Sequence, residues 1–178
     1  MGLQIGEIVP RKSISFSDLK GKIVAVDAYN AIYQFLSSVR QPDGTPLMDD
    51  KKRVTSHLSG LFYRNISLMA EGIKLIYVFD GEYHVLKGGT HALRREAKSL
   101  AREKYDEAKA EDDVEGMGKY ARGNIRLTKE MAEESKELLE AMGIGIVQAP
   151  GEGEMQCAQL VKDGAAFAVG SQDYDALV

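Results

Sequence analysis

Short apolar runs recur along this chain with helical stretches between them, and this alternation constrains the fold more than any other feature. The runs are KIVAVD (22–27), KLIYVF (74–79), IGIV (144–147) and AAFAV (165–169), each of the length and composition of a buried strand. Strands separated by helices pair in parallel, because each helix returns the chain to the starting edge of the sheet. The sequence therefore predicts an α/β domain with a largely parallel central sheet and helices on both faces.

Helical spacing of apolar residues predicts where the helices lie. They are expected at 28–39, 54–71 and 91–113, in a long stretch that ends at Met142, and from Gly151 or Glu152 to Lys162. In the second helix, the predicted core-facing stripe consists of Leu58, Leu61, Phe62, Ile66 and Met69. Pro150 favours the start of the last helix, because proline suits a first turn and not a helix interior.

The composition is that of one ordinary globular domain. The chain has 178 residues, of which 44% are apolar and 28% charged, and its net charge is −4. No apolar run is long enough to span a bilayer and the first residues lack the layout of a signal peptide. We therefore expect no membrane partner and a cytoplasmic location, or a nuclear one in a eukaryote. The single cysteine, Cys157, falls among small and apolar residues and is expected to pack rather than to react.

Two of the predicted strands end in an aspartate. Asp27 closes the first strand and Asp80 follows the second. Because the carboxyl ends of parallel strands meet at one edge of the sheet, where ligands bind in such folds, these two side chains are expected to lie close together. The alternative for each is a turn former or the cap of the next helix.

Four more acids fall at the same predicted edge: Glu152, Glu154, Asp173 and Asp175. Glu152 and Glu154 would open the last helix, where the helix dipole alone favours acids. Spaced two apart, they point to opposite sides of an ideal helix, so they converge only if Glu152 still belongs to the loop. Asp173 and Asp175 come just after the last strand.

Six carboxylates without a histidine or cysteine partner favour a hard cation, Mg²⁺ or Mn²⁺, over Zn²⁺. Six are more than one Mg²⁺ needs, because this ion keeps several waters. Two ions about 3.5–4 Å apart would use them, and such pairs suit in-line displacement at a phosphodiester. The acids therefore indicate metal-assisted phosphodiester hydrolysis.

A basic segment lies between residues 87 and 104, where six basic residues outnumber two acidic ones. Lys87, Arg94 and Lys98 would share one face of a continuous helix. Such a segment beside the acids could hold a scissile phosphate and offset charge in the transition state. The alternative is a solvated helix surface.

Five stretches resemble, in order, blocks of one nuclease family: DAYNAIYQFLSSVRQPDGTPL, TSHLSGLFYRNISLM, GIKLIYVFDG, LLEAMGIGIVQAPGEGE and SQDYDAL. The chain resembles the N-terminal part of the flap structure-specific endonucleases, in the XPG-like 5′-nuclease family, and its opening is closer to the archaeal branch. The resemblance implies a PIN-like 5′-nuclease fold, one nuclease domain over 1–178, and a helical arch at about 82–118 above the site. It also implies that the chain stops before a further ligand aspartate, an element that grips duplex DNA, and a tail that binds the sliding clamp PCNA.

The resemblance assigns roles to individual residues. The family's metal ligands match Asp27, Asp80, Glu152, Glu154, Asp173 and Asp175. Lys87 and Arg94 match the catalytic basic pair of the arch, which reaches the scissile phosphate. The positions that match DNA contacts are Gly2, Tyr33, Arg40 and Arg64, and Tyr33 corresponds to an aromatic on which a base stacks.

The function that the resemblance implies is a Mg²⁺-dependent 5′-flap endonuclease with 5′–3′ exonuclease activity, acting on branched DNA in replication and repair. One alternative is a compact PIN-type metal-dependent ribonuclease, which has a related acidic pocket but no need of a long basic arch. Another is a non-catalytic DNA-binding module, which fits poorly because carboxylates without metal repel phosphate. The 178-residue chain on its own is expected to cut DNA slowly or not at all.

Overall fold

The computed structural model describes residues 8–81, 127–172 and 174–177. The predicted arch, Gly2, Lys87, Arg94 and Asp173 lie outside these residues. The main elements are β1 (Ile23–Asp27), α1 (Ala28–Ser38), α2 (Ser56–Ala70), β2 (Lys74–Phe79), α3 (Lys129–Ala141), β3 (Gly145–Gln148), α4 (Gly153–Lys162) and β4 (Ala168–Gly170), with short 3₁₀ helices at Phe16–Leu19 and Asp175–Leu177. Within the described ranges, no helix combines the length and apolarity needed to cross a bilayer.

The four strands of the described ranges form one parallel sheet in the order β3-β2-β1-β4. The register places Asp27 beside Val78, and Phe79 beside Gln148. This arrangement confirms the predicted fold class. It also brings the ends of β1, β2 and β3 to the same edge, which is hereafter called the carboxyl edge.

The last strand is shorter than predicted and begins later. The run AAFAV was expected to be a strand from Ala165, but β4 starts at Ala168. The first residues of the run instead turn the chain back from α4: the N–H of Ala166 donates to the carbonyl of Leu160, and that of Phe167 to the carbonyl of Ile23. Apolarity alone could not distinguish this turn, in which only Ala166 is buried, from the strand that follows it.

The sheet is buried on both faces by two separate hydrophobic clusters. The larger one joins α1, α2 and α3 to the sheet through Val24, Ala28, Ile32, Phe35, Leu36, Leu61, Ile73, Leu75, Tyr77, Phe79, Leu139 and Ile144. The smaller one packs α4 on the opposite face through Ala25, Val78, Ala149, Cys157 and Ala166. Successive residues of β1 and β2 thus belong to different clusters, which explains why these strands are continuously apolar.

The buried face of α2 differs from the predicted stripe. Leu61 is buried as expected, but Phe62, Ile66 and Met69 are 40–45% exposed. The cause is Gly60: a Cβ at this position would overlap with Cγ of Phe35, so α1 crosses α2 directly over the glycine. This crossing turns the face that carries His57, Leu61 and Asn65 inward.

The edge opposite the acids is built from helix-to-strand turns that use left-handed glycines. Gly72 ends α2 with φ 79°, and Gly143 ends α3 with φ 74°. The N–H of each donates to a carbonyl of the helix it follows, Met69 for Gly72 and Glu140 for Gly143, both at 2.9 Å. Such turns reverse the chain within a few residues and start the next strand in line with its neighbours.

Candidate active site

Asp27 is both the last residue of β1 and the N-cap of α1. One of its carboxylate oxygens accepts the N–H of Asn30 at 3.1 Å, and the side chain is only 5% exposed. The capping alternative for this residue is therefore correct. It does not compete with a role at the site, because the cap fixes the carboxylate at the carboxyl edge.

Asp80 follows β2 directly and is half-buried. Its Oδ1 accepts the backbone N–H of Gly153, the first residue of α4, at 2.7 Å. Glu152, which precedes Gly153, is the N-cap of α4 and has an extended backbone (φ −78°, ψ 135°). The condition that lets Glu152 and Glu154 converge is therefore met, since Glu152 belongs to the loop.

The start of α4 is where the acids of β1 and β2 come together. A Cβ on Gly153 would lie 2.8 Å from Oδ1 of Asp80 and 3.8 Å from Oδ1 of Asp27. Both carboxylates therefore reach the same point, from two adjacent parallel strands. The absence of a side chain at Gly153 is what leaves room for them.

The electrostatic effect of this cluster is felt by Cys157, one turn further along α4. Burial raises the pKa of its thiol to about 12, and the negative charges of Asp27, Glu154 and Asp80 add to the shift. The thiol is fully buried in the smaller hydrophobic cluster and stays protonated at neutral pH. The prediction that Cys157 is a packing residue is confirmed.

The structure brings four of the six predicted metal ligands to one neighbourhood: Asp27, Asp80, Glu152 and Glu154. Asp175 begins the final 3₁₀ helix, and its side chain is not described. Within the described residues, no three His, Cys, Asp or Glu side chains are grouped closely enough to enclose an ion. The donor set nonetheless fits Mg²⁺ or Mn²⁺, because carboxylate oxygens from neighbouring strands point to one place and hard cations prefer oxygen ligands.

The predicted DNA-contacting residues differ in their surroundings. Tyr33 is 42% exposed on α1, and Arg64 is exposed on α2, at the rim of a cavity of about 390 Å³. Arg40 is half-buried, and its guanidinium donates to the carbonyls of Leu36 at 3.0 Å and Gly44 at 2.6 Å. Arg40 therefore ties the loop 41–55 to the end of α1.

Two residues near Asp80, Gly81 and Gln148, were not singled out from the sequence. Gly81 donates its N–H to the carbonyl of Gly151 at 2.7 Å, and a Cβ on Gly81 would overlap with the carbonyl oxygen of Ala149. Gln148 donates its side-chain Nε2 to the carbonyls of Phe79 and Asp80. A usable signal for close approach was the glycine after Glu152, Gly153, whereas a Cβ on Gly151 would meet no atom within 4 Å. Nothing in the sequence indicated Gln148.

Comparison with known proteins gives matches along nearly the whole chain. Residues 3–101 match the XPG N-terminal domain and residues 143–178 match the XPG I-region. Flap endonuclease 1 of Pyrococcus furiosus is 55% identical over 178 residues, which are 100% of this chain and 52% of that protein. The chain thus spans about half the length of the curated relatives it matches.

Solved structures give the same result for the fold. Flap endonuclease-1 from Methanococcus jannaschii superposes with a TM-score of 0.74 and 49% identity, over 99% of this chain and 56% of that one. The catalytic core of Rad2 in complex with DNA substrate superposes with a TM-score of 0.60 and 30% identity, over 93% of this chain and 42% of that one. The parallel sheet with helices on both faces is therefore the fold of these nucleases.

Proposed function

Because the chain belongs to the XPG family, we propose that residues 1–178 form the N-terminal nuclease domain of a structure-specific 5′-flap endonuclease with 5′–3′ exonuclease activity. The observation that carries the proposal is the meeting of Asp27 and Asp80 at the first residue of α4. The reaction is hydrolysis of DNA phosphodiesters during replication and repair.

The proposed cofactor is a pair of Mg²⁺ ions, with Mn²⁺ as a substitute. The residues that would hold them are Asp27, Asp80, Glu152, Glu154, Asp173 and Asp175. When bound, such ions supply a hydroxide at neutral pH and stabilise the oxygens of an in-line displacement. The contribution of the protein is orientation: the Asn30 N–H fixes Asp27, and the Gly153 N–H fixes Asp80, so the carboxylates need little rearrangement.

The proposed substrate is branched or flapped DNA. Lys87 and Arg94 would contact the scissile phosphate, Tyr33 would stack on a base, and Gly2 and Arg64 would contact the strand near the cut. Arg40 would act partly through the loop 41–55 that it anchors. We also propose a cytoplasmic location, or a nuclear one if the source is a eukaryote, and PCNA as a partner of a longer protein that carries the clamp-binding tail of the family.

A cleavage assay on a labelled 5′-flap duplex, with and without Mg²⁺, tests the proposal. Asp80→Asn should lower the rate by on the order of 10³-fold, because a lost ligand removes several kcal/mol of transition-state stabilisation. DNA binding should persist, since the change also removes a negative charge. Asp163→Asn is the matched control, because this exposed acid at the far end of α4 is paired with Gln159.

Near-normal turnover in Asp80→Asn would rule out the metal-ligand assignment. Single-stranded RNA and unbranched duplex DNA serve as competing substrates, and preferential cleavage of RNA would favour the ribonuclease alternative. The assay is run on the 178-residue chain and on a version with the length of the relatives. We expect the longer version to be faster by orders of magnitude, and equal rates would show that residues 1–178 suffice for catalysis.

A further inference from the structure

We propose that Gln148 is a positioning residue for Asp80, and this inference rests on the proposed nuclease function. Gln148 is the last residue of β3 and lies beside Phe79 in the sheet register. Its side-chain amide reaches across to β2 and donates to the carbonyls of both Phe79 and Asp80. It thereby fixes the peptide plane from which the Asp80 side chain projects.

The ordinary ladder of the sheet stops just before Asp80. The carbonyl of Phe79 already accepts the N–H of Ala149 at 2.8 Å, as the parallel ladder requires. The carbonyl of Asp80 lies one residue further along, and there the side chain of Gln148 continues the pairing. Gln148 therefore extends the hydrogen bonding between β2 and β3 by one residue, to Asp80.

Two further hydrogen bonds hold Asp80, one at the peptide that joins it to Gly81 and one at its carboxylate. The N–H of Gly81 donates to the carbonyl of Gly151, and the N–H of Gly153 donates to Oδ1 of Asp80, each at 2.7 Å. A rotation of the peptide between Asp80 and Gly81 would break the Gln148 and Gly81 contacts together. The position of the carboxylate thus depends on the backbone on both sides of it and on Gln148.

The hydrogen bonds that the side-chain Nε2 of Gln148 already makes argue against a direct contact of this residue with DNA. A primary amide has two N–H donors on one nitrogen, and the Nε2 of Gln148 already has two backbone carbonyls within hydrogen-bond distance. The remaining oxygen is an acceptor and would repel a phosphate. Gln148 does line a cavity of about 750 Å³ at the carboxyl edge, together with Tyr29, Gly81 and Lys129. Its place in that lining does not by itself make it a substrate ligand.

The decisive variant is Gln148→Leu, which keeps the approximate size of the side chain and removes both donors. The matched control is Gln159→Leu, because Gln159 is exposed like Gln148 and also donates its amide, to Asp163 at 2.7 Å, but does so at the far end of α4, away from Asp80. Loss of a residue that orients a metal ligand typically costs 10–100-fold in metal affinity or activity. We therefore expect Gln148→Leu to weaken Mn²⁺ binding about tenfold, measured by titration without DNA.

A second measurement, hydrogen exchange, follows the two amides whose hydrogen bonds hold Asp80 in place and does not require turnover. In metal-free protein, amide hydrogen exchange at Gly81 and Gly153 should become about tenfold faster in Gln148→Leu and stay unchanged in Gln159→Leu. In the cleavage assay, the Mg²⁺ concentration for half-maximal rate should rise while KM for flap DNA stays constant. Gln148→Asn, whose shorter amide reaches only part of the way, should give an intermediate result and serves if the leucine variant fails to fold.

Unchanged metal affinity together with unchanged exchange at Gly153 would overturn the proposal. So would a loss confined to DNA affinity, which would make Gln148 a substrate contact. If a wild-type version with the length of the relatives does not cut flap DNA at all, the proposed function fails, but the exchange and titration experiments still decide the role of Gln148.

Discussion

The backbone N–H of Gly153 donates to a carboxylate oxygen of Asp80 at 2.7 Å, across 73 residues of sequence. The donor is at the amino end of α4, where the helix dipole favours negative charge. The carboxylate of Asp27 reaches the same point. Without metal, the amino end of α4 therefore stabilises the negative charge of the two carboxylates, while the carboxylates of Asp27 and Asp80 repel each other.

This balance predicts that divalent ions stabilise the fold. Mg²⁺ at about 100 times its dissociation constant should add roughly 2.7 kcal/mol to the free energy of unfolding, because the ions bind only the folded protein. Asp80→Asn should unfold at a higher temperature than wild type in EDTA, since it relieves the repulsion, and should lose most of the Mg²⁺ effect. Thermal unfolding with and without Mg²⁺ measures both, and Asp163→Asn should behave as wild type. An unchanged Mg²⁺ effect in Asp80→Asn would contradict the prediction.

The pair formed by His57 and Glu134 predicts a pH dependence of stability. The His57 side chain is fully buried, and its Nε2 lies 3.3 Å from Oε2 of Glu134, which also faces Arg53. Burial lowers the pKa of His57 below its ordinary value, and the charge of Glu134 opposes this shift. The unfolded chain therefore binds the proton more readily, so stability is complete above the ordinary pKa of about 6.5 and falls as the pH drops below it.

The slope for this one group reaches at most about 1.4 kcal/mol per pH unit. Glu134→Gln removes the opposing charge and should lower the pKa of His57 in the folded protein further, so the loss of stability should continue to a lower pH than in wild type. His57→Gln should remove the contribution of His57 to the pH dependence of stability. Urea unfolding between pH 7.5 and 5.5 measures it. Identical slopes in wild type and His57→Gln would show that His57 does not titrate in this range.

The crossing of α1 over Gly60 predicts a severe effect of one methyl group. Gly60→Ala would place its Cβ against the ring of Phe35, well inside van der Waals contact, and such overpacking typically costs about 1–3 kcal/mol. Phe35→Ala removes Cγ and Cδ1, two of the three Phe35 atoms that the new Cβ would meet, so the double variant should be less destabilised than the sum of the two single variants. Chemical denaturation of the two single variants and the double variant tests the coupling, and strictly additive effects would count against the contact.

The buried hydrogen bond between Tyr77 and Asn65 gives a fourth prediction. The Tyr77 hydroxyl donates to Oδ1 of Asn65 at 2.8 Å, and both side chains are buried. Tyr77→Phe leaves that oxygen without its donor and should cost about 1–3 kcal/mol in the free energy of unfolding. Tyr63→Phe, at an exposed position of α2, is the control and should be neutral within about 0.5 kcal/mol. The combination of Tyr77→Phe with Asn65→Leu should be less destabilising than Tyr77→Phe alone.

Arg40 offers a test of whether shape or charge matters in the loop 41–55. Arg40→Lys keeps the charge but cannot reproduce the fork that binds the carbonyls of Leu36 and Gly44. The loop should therefore open more often, and trypsin should cut faster after Lys51, Lys52 or Arg53. Arg53→Lys alters only an exposed ion pair with Asp49 and should change the cutting rate little. Equal rates in the two variants would show that Arg40 does not hold the loop.

The sequence was informative where one residue sets both local and tertiary structure. A buried parallel strand is apolar on both faces, so an aspartate can appear only where the strand stops, as at Asp27 and Asp80. For Glu152 the sequence set only a condition, that it converges with Glu154 if it belongs to the loop. The predicted helix start at Gly151 or Glu152 was one or two residues too early, since α4 begins at Gly153 and Glu152 is its N-cap.

The rest depended on contacts between distant segments. Periodicity gave α2 an apolar stripe, but the phase of its buried face is set by Phe35 meeting Gly60, and no local rule contains that contact. The start of β4 is decided by hydrogen bonds to Leu160 and Ile23, not by apolarity. Gln148 had no signal at all, because its partners at Phe79 and Asp80 lie 69 and 68 residues away.

The left-handed glycine turns at Gly72 and Gly143 have a practical consequence for handling the molecule. They lie one strand length, about 16 Å, from the carboxylates of Asp27 and Asp80, because helix-to-strand turns and acids occupy opposite edges of a parallel sheet. A short tether or a dye-bearing peptide inserted after Gly143 would be held at the base of the domain. A molecule immobilised in this way would present its acidic edge to the solution, which is the orientation that single-molecule observation of incoming DNA requires.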